Sequence, residues 1–331
     1  MRWGAGAGAS RLISGNMQPH RSLEERLAAF KGYEAALLFG SGYLANVGTI
    51  AALAGRGEVV FSDELNHASI VDGCRLSRAE TFVYRHGDVE HLTWGLREAG
   101  ERASLIVTDG LFSMDGDVAP LAELAELAAR HGCRLMVDEA HATGALGPGG
   151  RGSVAAAGLS GEVDVVMGTL GKALGAYGAY VCAGRELTDY LLNTARTFVF
   201  STAPPPPAAA AGLAALELLE SHPHRVERLA DNAAALRRGL AAEGLASGSS
   251  QSQILPVEVG DPARTMELCE RALERGVFAQ GIRPPTVPPG SSRLRFTVMA
   301  THRPGELERA AKLVGAAARE LGIANPTLVA A

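Results

Sequence analysis

VDVVMGTLGKALGAYG, residues 163–178, is an apolar run that empties into a glycine-rich turn holding a single lysine. Val163, Val165 and Val166 mark a short strand of the continuous apolar kind that parallel sheets bury on both faces. Beyond it Lys172 stands among Gly168, Gly171, Gly175 and Gly178, residues that let a backbone approach a ligand closely. A nucleotide-phosphate loop of the form G-x-x-x-x-G-K-[ST] is disfavoured. Val166 occupies the place of its first glycine, and Ala173 that of the magnesium-binding hydroxyl. A surface loop lysine is the plain alternative. Against it, only three of the 31 basic side chains are lysine. Lys31 sits beside the polar end of an amphipathic helix and Lys312 on a late amphipathic helix, so Lys172 alone follows a hydrophobic strand.

Working outward, residues 20–200 alternate short β-branched runs with helical patterns, which predicts an α/β fold: a mainly parallel sheet sandwiched by helices. The expected strands are EVVFSD (58–63), TFVY (81–84), SLIVTD (104–109), CRLMVD (133–138), VDVVMGT (163–169), AYVCA (179–183) and TFVFS (197–201). Ser22 and Glu25 read as a capping box opening a helix over 22–30. A second helix starts at Pro120, repeats Leu121, Leu124 and Leu127, and stops at Gly132. The proline run 204–207 marks a boundary, because proline cannot continue a central strand but can begin a helix. The larger domain is therefore expected at 1–207. A smaller C-terminal α+β domain is expected at 208–331, with helices near 224–243, 264–275 and 304–321 around strands 254–259 and 293–298.

The 331 residues are 47% apolar and 20% charged, a globular composition with ample material for a core. A net charge of −5 with interspersed signs gives no basic stripe for nucleic acid. Cys74, Cys133, Cys182 and Cys269 have no C-x-x-C pairing or metal-ligand spacing, so they read as reduced structural thiols and no metal is expected. The N-terminus lacks the apolar core of a signal peptide, and the longest apolar stretch, 208–219, is broken by Glu217. No membrane span is expected, and the chain reads as cytoplasmic.

LMVDEAHATG (135–144) ends a strand on Asp138 and places His141 three residues later, at the carboxyl edge where open α/β sheets hold ligands. A carboxylate there without metal-binding companions calls for a cationic partner. A protonated pyridine nitrogen is one, and a lysine Schiff base with an aspartate on the ring nitrogen is the signature of pyridoxal phosphate chemistry. The alternative is a helix cap and a loop histidine. In LLFGSGYLANVGTI (37–50) the turn Gly40–Ser41–Gly42 leads into a helix whose free N–H groups suit a phosphate. In SDELNHASIVDG (62–73) His67 follows a strand end, where its imidazole can lie flat on an aromatic cofactor; a structural histidine is the alternative.

Together with GAGASRLISGN (6–16), VTDGLFSMDGDVAPL (107–121), VDEAHATGALGPGGRG (137–152), RTFVFSTAPPP (196–206) and IRPPTVPPGSSRLR (282–295), these segments resemble the α-oxoamine synthases. That is a fold-type-I family of pyridoxal phosphate-dependent transferases within the class-II aminotransferase group. GTLGKALGAYGAYV and IRPPTVP favour its oxononanoate branch. The resemblance implies that Lys172 carries pyridoxal 5'-phosphate as a Schiff base, that Asp138 holds the ring nitrogen protonated and that His67 stacks on the ring. It further implies that His141 and Ser113 bond the phenolic edge and that Gly42, Tyr43 and Thr169 hold the phosphate. Ser201 and Thr202 would reach the phosphate of a neighbouring subunit, which implies a homodimer with shared active sites. His20, His67, Arg283 and Thr286 would line the substrate site, with Arg283 gripping a carboxylate.

The implied reaction condenses L-alanine with a pimeloyl thioester of coenzyme A or an acyl carrier protein. It releases carbon dioxide and gives 8-amino-7-oxononanoate for biotin biosynthesis. A glycine-using relative of the same family and a non-catalytic, cofactor-binding paralogue are the alternatives. Against the family pattern the chain begins just before GAGASR, so the family's N-terminal arm, with its SNDYLG-like motif, is expected to be absent.

Overall fold

The computed structural model describes residues 3–323, which divide into two compact units. The larger takes in the described residues up to Phe112 together with Ala119–Pro223; the smaller takes in Ser113–Val118 and the described residues from His224 onward.

The larger unit runs α1 (Gln18–Lys31), β1 (Ala35–Phe39), α2 (Gly42–Leu53), β2 (Val59–Asp63), α3 (Ala68–Ser77), β3 (Glu80–Tyr84), α4 (Val89–Ala99) and β4 (Ala103–Asp109). It continues with α5 (Leu121–His131), β5 (Arg134–Asp138), α6 (Ser153–Ala156), β6 (Val165–Thr169), β7 (Ala179–Ala183), α7 (Arg185–Thr194), α8 (Arg196–Val199) and α9 (Pro206–Ser221). Its seven strands form one sheet in the order β1-β7-β6-β5-β4-β2-β3. The run β3-β2-β4-β5-β6 is parallel, and β7 lies antiparallel to both β6 and β1.

Alternation along each strand divides the core between the two faces of the sheet, as the pleat requires. On β4, Leu105 and Val107 join a cluster with Ala45 and Ile50 of α2, Ile70 of α3 and Leu191 of α7. Ile106, between them, joins the opposite cluster with Leu92 and Leu96 of α4 and Leu121, Leu124 and Leu127 of α5. Both sets are buried, which makes the middle of β4 apolar on both faces, whereas the edge strand β3 is mostly exposed. Gly132 ends α5 in the left-handed region (φ 65°) and returns its N–H to Ala128 and Ala129.

Three expectations are corrected. TFVFS is not a strand: the sheet edge beside β7 belongs to β1, and residues 196–199 form the short α8. Thr197 Oγ1 donates to the Leu44 carbonyl at 2.6 Å, and Phe198 packs edge-on against Phe39 at 5.4 Å. The helix expected to open at Ser22 starts earlier, at Gln18. Its end is tied by His20 Nδ1, which accepts from Met17 N at 3.1 Å, so Ser22 and Glu25 are ordinary helical positions. The break between units follows Pro223 instead of Pro207, because α9 packs on α1: Gly212 lies against Leu23, and Arg26 pairs with Glu220 at 2.7 Å.

The smaller unit holds α10 (His224–Ala242), β8 (Ile254–Gly260), α11 (Pro262–Glu274), β9 (Gln280–Ile282), β10 (Ser292–Thr297) and α12 (Pro304–Glu320). Its antiparallel sheet has the order β8-β10-β9. No helix among the described residues is long and apolar enough to cross a membrane.

Candidate active site

β4 and β5 are parallel neighbours that end in register on aspartates, Asp109 opposite Asp138. β6, next in the sheet, ends on Thr169 and opens into the 170–178 loop, where Leu170 N bonds Gly178 O at 2.9 Å and Gly175 N bonds Lys172 O at 3.0 Å. The loop closes on its own backbone and leaves Lys172 exposed on its surface. The strand-end rule for open α/β sheets puts the ligand crevice here.

Asp138 is 3% exposed. Its Oδ2 accepts from Asn46 Nδ2 at 2.7 Å and its Oδ1 from Ala140 N at 2.8 Å. Burial pushes its carboxyl above the usual aspartate range, opposed by the Asn46 and Ala140 hydrogen bonds and then by the charges of Lys172 and His67. Both side chains are therefore within electrostatic reach of this carboxylate. Asn46 Nδ2 also reaches Ser69 Oγ at 2.9 Å, and Ser69 Oγ meets His67 Nδ1 at 2.7 Å, a polar chain from Asp138 to the imidazole. His67 Nδ1 also accepts from Ser69 N at 3.2 Å.

Asp109 fixes the same histidine from behind. Its Oδ2 accepts from His67 N at 2.9 Å, while its own N–H goes to Asn66 Oδ1 at 2.8 Å. Burial first and the neighbouring Asp138 second raise its carboxyl well above the ordinary value, offset in part by the His67 N–H and Lys172. Asn46, Ser69 and Asp109 were not singled out from sequence. A signal existed for two of them: Asn46 is a lone amide in an apolar helical run, and Asp109 repeats the strand-end aspartate seen at Asp138.

At the other side of the crevice α2 begins. Ser41 caps it by accepting from Leu44 N at 3.2 Å, which leaves the N–H groups of Gly42 and Tyr43 in the first turn without an intrahelical acceptor. A Cβ on Gly42 would lie 2.8 Å from Thr169 Cγ2, so only glycine lets the helix start this close to β6. Thr169 Oγ1 is buried with no hydrogen-bond partner. The Tyr43 side chain is exposed, with its hydroxyl on Asp72 Oδ2 at 2.8 Å.

His141 is half-buried in the turn that follows β5. Ser201 and Thr202 follow α8, where Thr202 bridges to Ser10 and Ala203 N bonds Ala9 O at 3.0 Å. His20 is fully buried with both ring nitrogens engaged, Nδ1 on Met17 N and Nε2 on the Pro204 carbonyl at 2.7 Å. Ser113, Arg283 and Thr286 belong to the smaller unit. There Arg283 and Thr286 are exposed in one turn, with Thr286 N on Arg283 O at 3.1 Å.

A phosphorylated pyridine aldehyde fits the groups of the larger unit on three structural counts. A buried carboxylate raised by burial wants a cation such as a pyridinium, an orphaned Thr169 hydroxyl faces no partner, and a glycine-opened helix start offers free N–H groups. A lysine amine lies within electrostatic reach of that same carboxylate.

A model of the family described as aminotransferase class I and II matches residues 2–314. The chain belongs to that family. It is 53% identical over 324 residues to an 8-amino-7-oxononanoate synthase of Citrifermentans bemidjiense, covering 97% of this chain and 83% of the relative. Among solved structures, the serine palmitoyltransferase of S. paucimobilis, with a bound PLP–myriocin aldimine, superimposes with a TM-score of 0.94 at 35% identity, over 97% of this chain and 82% of that one. An 8-amino-7-oxononanoate synthase from Francisella tularensis gives 0.81 at 28% identity, over 93% and 89%. The fold is thus common to proteins of different activities, and backbone shape alone does not separate them.

Proposed function

We propose that this chain is a pyridoxal phosphate-dependent acyltransferase that condenses L-alanine with a pimeloyl thioester, of coenzyme A or an acyl carrier protein. The products are 8-amino-7-oxononanoate, the free thiol and carbon dioxide, a reaction of biotin biosynthesis. The observation that carries it is the convergence of Asp138, His67 and Lys172 at one sheet edge, in a chain 53% identical to a synthase of that name.

Bound there, the cofactor supplies an electron sink for the pair left on an amino acid's α-carbon. Lys172 Nζ would hold its aldehyde carbon and, once displaced by the amine of alanine, take the α-proton and later return it. Asp138 would keep a proton on the ring nitrogen, its own burial compensated by that positive charge. Asn46 and Ala140 N hold the carboxylate that does this. His67 would lie on the ring, aligned through Ser69 and Asp109, and His141 would bond the phenolic oxygen. Gly42 N, Tyr43 N and Thr169 Oγ1 would hold the phosphate.

Ser201 and Thr202 would serve the phosphate of a second copy, making the working unit a homodimer. Ser113, Arg283 and Thr286 enter through the family resemblance alone, Arg283 as the carboxylate grip. His20, spent on α1 and Pro204, is given no substrate contact.

The test is the purified chain reconstituted with pyridoxal phosphate and offered L-alanine or glycine with pimeloyl-CoA. Stoichiometric 8-amino-7-oxononanoate and carbon dioxide from alanine, lost in Lys172→Ala together with the absorbance of lysine-bound cofactor, are expected. Turnover with glycine alone, or no cofactor absorbance in the parent, would overturn the assignment.

A further inference from the structure

One buried ion pair of the larger unit has no part in the chemistry above. Lys31, at the end of α1, is 4% exposed, and Glu139, the residue after Asp138, is fully buried. While Asp138 turns to Asn46 of α2, Glu139 Oε1 accepts from Ser153 Oγ at 2.9 Å and Val154 N at 2.7 Å, and Oε2 accepts from Lys31 Nζ. Lys31 Nζ also donates to Thr143 Oγ1 at 3.1 Å and to the Arg151 carbonyl. Thr143 Oγ1 in turn meets Tyr180 OH of β7 at 2.9 Å. One ammonium therefore clasps the first residue after β5, the turn two residues past His141, and the 148–152 loop.

We propose that Lys31 and Glu139 are positioning residues that set the Asp138–His141 segment against the cofactor. Three observations support the assignment. Glu139 N bonds Met167 O at 2.7 Å, so the residue is pinned to the strand that leads to Thr169 and Lys172. Ala142 N and Thr143 N both bond the Glu139 carbonyl, at 3.0 and 2.9 Å, so His141 is carried on a turn whose root is Glu139. Gly152 has φ 105°, and a Cβ there would overlap the Glu139 carboxyl, so the 148–152 loop is built around this one side chain.

Burial alone would lower the Lys31 pKa; the charge and hydrogen bond of Glu139, together with Tyr180 and Cys182, more than offset it and push it up to about 12. Tyr33, Tyr180 and Cys182 are the other titratable groups that feel the pair, and burial raises all three, Tyr180 and Cys182 to about 12. A buried pair is a poor source of net stability compared with apolar packing, which directs its use toward geometry.

The inference rests on the cofactor assignment, and its test separates the two. Lys31→Met, Lys31→Met/Glu139→Gln and the isosteric Thr143→Val are compared with the parent by urea unfolding, by pyridoxal phosphate titration and by the pH midpoint of the bound cofactor's absorbance. The double variant leaves no unpaired charge buried, and Thr143→Val keeps the pair while cutting the Thr143 hydrogen bonds to Lys31 and Tyr180. Expected in the folded variants are cofactor affinity weakened about tenfold, as for a lost charged hydrogen bond, and a displaced absorbance midpoint, both smaller in Thr143→Val. Parent-like affinity and midpoint in the double variant, or in Thr143→Val should only that one fold, would overturn the positioning role and leave stability as the pair's whole effect. Failure of the parent itself to bind cofactor would instead overturn the functional assignment.

Discussion

Asp109 and Asp138 stand directly opposite each other at the carboxyl ends of neighbouring parallel strands, both buried and both raised above the ordinary aspartate pKa of 3.8. They divide the work: Asp109 grips the backbone of His67, and Asp138 is held ready by Asn46.

That pairing sets a pH dependence. A carboxyl whose folded pKa lies above its unfolded value contributes stability that is full below 3.8 and lost as pH rises through the raised value. The cofactor-free chain is therefore expected to show a urea midpoint that falls as pH climbs from 3.8 upward. Asp109→Asn, which keeps an acceptor for His67 N, should flatten the fall and raise the midpoint at neutral pH. A variant curve parallel to that of the parent would contradict it.

Asn46→Ala removes the donor on Asp138 Oδ2 and leaves only Ala140 N. A hydrogen bond to a charged group contributes about 1.5–3 kcal/mol, so cofactor affinity should fall roughly ten- to hundred-fold. Absorbance titration reads this directly; an unchanged dissociation constant would remove Asn46 from the site.

Gly42→Ala forces a methyl to 2.8 Å from Thr169 Cγ2, and overpacking of this kind costs about 1–3 kcal/mol. Because the strain falls where the phosphate is proposed to sit, affinity for pyridoxal phosphate should drop more than affinity for pyridoxal. Equal losses for both would place the phosphate elsewhere.

Ile106→Ala, in the middle of β4, opens a cavity between the sheet and the helices α4 and α5. The expected cost is about 2–5 kcal/mol in denaturant unfolding, with cofactor affinity of the remaining folded protein unchanged. A loss of affinity larger than the loss of stability would show that the core and the strand-end aspartates are coupled.

Most of the larger unit was legible because its strands are short, β-branched and bounded by glycine or aspartate, and the three described helices after Pro223 carry clear apolar periodicity. TFVFS misled because aromatic and β-branched residues favour a strand locally, whereas the edge it would need was already filled by β1. The proline run was a true helix start but not a break between units, since α9 finds its apolar partner in α1, far away in sequence.

Sequence by itself singled out Lys172 as the amine proposed to hold the cofactor, because lysine is so scarce, and it determined the alternation that makes a parallel sheet. Tertiary structure alone decided how those residues are held. Asn46 meets Asp138 and Asp109 meets His67 from other elements, and Lys31, which reads as a helix-end lysine, is buried against Glu139. Strand and helix patterns are set by neighbours a few residues apart, whereas a hydrogen bond between groups dozens of residues apart exists only once the sheet order has brought their strands together.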